Sequence, residues 1–186
     1  MAENAHIVRF TLEPDTGVAP DASGGEPLLS CPLSIKQDSA ILRLDRVTFP
    51  AGVTAYRHTH AGAGIRYLTR GRLEVIADDH SKTMETGQAW FEDAYSPVKA
   101  IAAPEGVTEF IRVMVLPNEF TGKPTIKLFK LNSPVLNSKS PFCSSSIIRP
   151  SSLLAMVISL SLTTGCGLAL PTANMAHCGG LIIASN

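Results

Sequence analysis

After Glu119 this chain of 186 residues contains no aspartate or glutamate at all. All sixteen acidic residues lie at or before that position, with eleven of the sixteen Lys and Arg, so residues 1–119 carry −5, residues 120–186 carry +5, and the formal net charge is zero. Such a split marks a change of character between the two parts. Cysteine is scarce: Cys31, Cys143, Cys166 and Cys178 show no C-x-x-C spacing, which argues against a disulfide framework or a zinc knuckle. The start, M-A-E-N-A-H-I-V-R-F, lacks the basic segment and long apolar run of a signal peptide, so a cytoplasmic location is expected. No Lys/Arg stripe interleaved with aromatics is present, and nucleic-acid binding is not expected. Before residue 120 no segment shows a 3.6-residue apolar period, which excludes a helical architecture there.

What is present is a series of short, turn-punctuated, β-prone runs. Residues 6–12 read as an edge strand, and the Pro-, Gly- and Asp-rich residues 14–27 as a loop wrapping the domain. Residues 40–49, A-I-L-R-L-D-R-V-T-F, alternate as a half-buried strand, with Leu42 and Leu44 on one face and Arg43 and Asp45 on the other. Residues 65–69 and 73–77, joined through Arg70-Gly71-Arg72, read as a hairpin. Runs at 83–85, 89–91, 98–102 and 108–116 continue the rhythm, the pattern of an antiparallel sandwich or barrel.

Residues 131–186 hold only Lys139 and Arg149 as charges. The uncharged run 153–170 reaches the lower limit of a membrane span, but Ser159, Ser161, Thr163, Thr164, Gly165 and Gly167 interrupt it. Three readings stay open for this tail: a marginal membrane anchor, a disordered or loosely helical extension, or a non-native end. The expected division is an N-terminal strand and loop over 1–39, a β-barrel over 40–130, and the tail over 131–186.

The stretch that carries chemistry runs from Phe49 to Gly71, F-P-A-G-V-T-A-Y-R-H-T-H-A-G-A-G-I-R-Y-L-T-R-G. His58 and His60 stand two apart in a strand-prone context, so both imidazoles face the same way, as two nitrogen ligands of one ion do. Gly52, five residues, His58-Thr59-His60 and the closing Gly71 resemble the first motif of the cupin superfamily, G(X)5HXH(X)3,4E(X)6G, with Gly64 or Ile65 where the family has glutamate. The second motif, G(X)5PXG(X)2H(X)3N, falls on Gly87 to Ala102 and matches at Gly87, while Asp93, Tyr95, Val98 and Ala102 replace its other positions.

The resemblance implies an all-β fold, a double-stranded β-helix (jelly-roll) barrel with a non-barrel C-terminal tail. It implies a divalent transition metal, Fe, Mn, Ni or Zn, on His58 and His60. A third ligand has to come from elsewhere: Glu92 or Asp93, with weaker support for Tyr56 or His80. Arg66, in register with the vacated glutamate position, suits a carboxylate or phosphate ligand, or else an ion pair with Glu92 or Asp93. Tyr56 is a second candidate for substrate contact. Tyr67, Trp90 and Phe91 read as barrel wall. Two functions follow: a metal-dependent, oxygenase-like enzyme for a small anionic molecule, or a non-catalytic small-ligand-binding or regulatory barrel with an incomplete metal site. The expected partner is a small molecule, not a nucleic acid or a membrane, and the family's pairing through barrel edges leaves a homodimer open.

Overall fold

The computed structural model describes residues 5–14, 26–35, 39–129, 154–163 and 181–184. The chain divides into two units, one of Met1–Ser34 with Ser145–Asn186 and one of Ile35–Ser144. In the first, β1 (Ala5–Pro14), β2 (Glu26–Leu33), β12 (Leu154–Thr163) and β13 (Leu181–Ala184) form an antiparallel sheet in the order β13-β1-β12-β2. The residues expected at a sheet edge therefore lie inside one. Their partners come from more than 140 positions away in sequence, which no local pattern reveals. The stretch 14–27 expected as a loop lies largely outside the described residues, as does most of the tail. Within residues 153–170 the described part is strand, not helix. Among the described residues no helix is long and apolar enough to cross a membrane.

The second unit carries the site. Its strands are β3 (Ala40–Phe49), β4 (Thr54–His60), β5 (Ala63–Arg70), β6 (Arg72–Ile76), β7 (Ser81–Glu85), β8 (Ala89–Glu92), β9 (Val98–Ala102), β10 (Thr108–Pro117) and β11 (Ile126–Leu128). They form two antiparallel sheets, β3-β10-β5-β8 and β11-β4-β9-β6-β7, with a 3-10 turn at Asn118–Phe120. This is the double-stranded β-helix expected from the sequence: apart from the β6–β7 pair, successive strands alternate between the sheets, and apolar side chains of both fill the space between them.

That alternation overturns one local expectation. The chain leaves the first sheet at the end of β5 and enters the second at β6, so Arg70-Gly71-Arg72 is a crossover and not a hairpin. Gly71 permits it, with φ 81° and its Cα packed so closely that an added Cβ would lie 2.7 Å from the Val107 carbonyl oxygen. The true hairpin partner of β6 is β7.

Between the sheets Leu68, Leu73, Val75, Met84, Trp90, Val98, Ala100, Ala102 and Phe110 form one buried cluster, with Val47, Phe49 and Ala55 packed against it. The alternation of β3 is as expected, but the face bearing Arg43 and Asp45 is the one that also carries Val47 and Phe49 inward. Leu42 and Leu44 are 39% and 40% exposed.

Candidate functional site

A cavity of about 180 Å³ opens between the sheets. One end is apolar, walled by Val47, Phe49, Leu73, Val75, Val98 and Phe110. The other is polar, with His58, His60, Arg66, Glu92 and Arg112. Trp90 lines the cavity and donates its Nε1–H to Glu92 Oε1 at 2.9 Å.

The polar end is built by register. Across the first sheet Asp45 pairs with Arg112, Arg112 with Arg66, and Arg66 with Trp90, so one row of side chains crosses four strands on the inner face. On the facing sheet β4 presents His58 and His60, with Val98 directly opposite His58. Ring centroids of the two histidines are 4.9 Å apart and nearly perpendicular, at 82°.

His58 Nδ1 lies 2.6 Å from the Tyr56 carbonyl oxygen, which can only accept, so that nitrogen carries the proton and Nε2 is the lone-pair side. Arg112 Nη1 stands 3.2 Å from His60 Nε2. A guanidinium only donates, so His60 Nε2 accepts and is unprotonated, while the buried Nδ1 has no hydrogen-bond partner among the described residues. Both rings are held neutral. Burial lowers the His58 pKa, opposed in part by its bond to Tyr56 and by Glu92. Burial, then the charges of Arg66 and Arg112, lower that of His60 to about 2.

Arg66 is 1% exposed. Its Nη2 stands 2.8 Å from Glu92 Oε2, an ion pair without the alignment of a hydrogen bond, and Nη1 donates to the Gly64 carbonyl. Burial lowers its pKa to about 10, opposed by Glu92, so the group stays charged at neutral pH. Arg112 donates Nε to Asp45 Oδ2 at 3.0 Å, and Arg43 Nη2 reaches the same oxygen at 3.1 Å.

Of the residues expected at the site from sequence, His58, His60, Arg66 and Glu92 line the cavity together. Tyr56 and Asp93 do not. The register of β4 against β9 shifts between Ala55 and His58, a bulge that turns Ala55 inward and leaves Tyr56 68% exposed. Asp93 is exposed and accepts the backbone N–H of Ala94 at 2.8 Å. His80 sits beside Asp79 in the turn before β7. Arg112 and Asp45 are additions that sequence reasoning passed over. The signal was there: Arg112 is the one charge inside the apolar run F-I-R-V-M-V-L, and Asp45 shares its strand face with Val47 and Phe49.

Whether these residues fit the metal that the resemblance implies can be tested on their chemistry. Among the described residues no group of three His, Cys, Asp or Glu is placed to hold an ion. Glu92 is engaged by Arg66 and Trp90, and Arg112 approaches the lone pair of His60 that an ion would need. Position 64 is closed to any side chain, since a Cβ there would run into the Val113 carbonyl oxygen and lie 2.9 Å from Met114 Cα. The donor set does not complete a metal site.

No protein-family model matches the sequence, and no curated protein matches it. Among solved structures, an RmlC-like cupin from Shewanella frigidimarina is 21% identical over 43% of this chain and 70% of its own, with a TM-score of 0.38. The DMSP lyase DddQ from Ruegeria pomeroyi is 18% identical over 50% of this chain and 45% of its own, with a TM-score of 0.43. A salicylate 1,2-dioxygenase from Pseudaminobacter salicylatoxidans is 18% identical over 39% of this chain, with a TM-score of 0.36. The chain spans less than half of the lyase and 20% of the dioxygenase.

Proposed function

We propose that this barrel is a cupin that binds a small organic anion at the polar end of its cavity, through Arg112 and His60, without a metal ion. The observation that carries the reading is the 3.2 Å contact between Arg112 Nη1 and His60 Nε2. It sets a fixed positive charge where an ion would otherwise take the imidazole lone pair, and a second cation there is repelled. Arg112 is bonded through its Nε and Nη1, and among the described residues the buried His60 Nδ1–H lacks an acceptor. A carboxylate oxygen satisfies such donors in charge-assisted bonds. The cupin assignment is supported by backbone conformation: Gly52, Gly71 and Gly87 have φ of 69°, 81° and 90°, and Tyr95, where the second motif has glycine, has φ 60°.

The second reading, a metal-dependent enzyme of oxygenase type, is favoured by the two adjacent imidazoles and by His58 Nε2 being the lone-pair nitrogen. It requires Arg112 to leave His60 and Glu92 to leave Arg66. Calorimetric titration of the full chain with benzoate, wild type against Arg112→Met, tests the first reading. Binding that Arg112→Met weakens at least tenfold supports it; equal binding by both removes Arg112 from the site.

A further inference from the structure

Resting on the anion-binding reading, we infer that the cavity selects a monoanion with a compact apolar body, a monocarboxylic acid, over dianions, neutral analogues and small polar acids. The charges at the polar end decide the first part. Arg66 is matched by Glu92, while Arg112 shares Asp45 with Arg43, a partly exposed residue outside the cavity lining, so three guanidinium groups of this cluster face two carboxylates. His60 adds no charge, because it accepts from a guanidinium, and the burial of His58 disfavours its charged form. One positive charge is left unmatched. A single carboxylate balances it, and a second charge on the same molecule would enter the apolar end with no partner, where an unpaired ion is strongly disfavoured.

The shape decides the second part. Beyond the arginines the walls are Val47, Phe49, Leu73, Val75, Val98 and Phe110, none of which offers a side-chain hydrogen bond. The volume of about 180 Å³ lies below the roughly 300–1,000 Å³ of pockets that take drug-sized ligands. Burial of an apolar body against these walls is favourable in proportion to the area removed from water, and acetate or formate forgoes most of it.

Trp90, the single tryptophan of the chain, lines this cavity and reports on its occupant. The test is titration of the full-length protein, followed by Trp90 fluorescence and by calorimetry, with benzoate, phthalate, benzyl alcohol and acetate. Benzoate is expected to bind one per chain and to perturb Trp90. Phthalate, benzyl alcohol and acetate are each expected to bind at least tenfold more weakly. Phthalate or acetate binding as tightly as benzoate would overturn the selectivity while leaving an anion site in place. If none of the anions binds, the anion-binding reading falls as well. Val75→Trp, which fills the apolar end, should weaken benzoate at least tenfold with acetate unchanged. The wild-type comparison decides the matter even if that variant does not fold.

Discussion

Arg66 and Arg112 are register partners across β5 and β10, two guanidinium groups side by side on the inner face of one sheet. Like charges directly opposite in a sheet repel. The pair is tolerated because each is ion-paired to a different carboxylate, Arg66 to Glu92 at 2.8 Å and Arg112 to Asp45 at 3.0 Å, the latter shared with Arg43.

Removing a carboxylate should therefore cost more than removing a whole pair. Glu92→Gln leaves Arg66 charged, buried and unmatched, with an expected loss of about 3–5 kcal/mol in unfolding free energy. The double variant Arg66→Met/Glu92→Leu should recover most of that loss. Urea denaturation of the three proteins checks both, and a double variant no more stable than Glu92→Gln would show that the pair contributes net stability.

Acid should destabilise the fold early. Both histidines titrate below their ordinary pKa of 6.5, so the unfolded chain takes up protons that the folded chain refuses. Their contribution is fully present above pH 6.5 and is lost as pH falls below it, by at most about 1.4 kcal/mol per pH unit for each histidine. Denaturation curves between pH 7.5 and 5.5 should show this decline, with a shallower slope in His60→Gln. A flat profile would mean that the rings are not desolvated as described.

Tyr95 holds a left-handed backbone conformation at φ 60°, and the residue is 59% exposed. The conformation costs a non-glycine residue roughly 1–2 kcal/mol, and little packing is lost with the ring. Tyr95→Gly is expected to stabilise by about 1 kcal/mol after the greater entropy of unfolded glycine is allowed for. A destabilised variant in thermal unfolding would locate an unseen role for the ring.

The fold was legible because it rests on local signals. The alternation in 40–49, the glycines at 52, 71 and 87, and the apolar strands 98–102 and 108–116 fix where strands begin and end. Pairing was less legible, since a crossover at Gly71 and a hairpin turn look alike in sequence. In the site, His58, His60 and Arg66 could be placed by strand parity alone. Tyr56 could not, because the bulge after Ala55 breaks that parity, and Arg112 and Asp45 matter through pairings between strands 67 residues apart. From this bulge it follows that Tyr56→Ala should leave benzoate affinity within twofold, whereas Ala55→Leu, projecting into the cavity, should weaken it at least tenfold.

The most direct test of a metal-independent anion site is benzoate affinity of the full-length protein before and after exhaustive chelation, with metal content measured on the same samples and Fe, Mn, Ni or Zn then added back. The expected result is one affinity throughout, with no stoichiometric metal in the protein that binds. Affinity that vanishes on chelation and returns with one of these ions would contradict it and establish His58 and His60 as metal ligands.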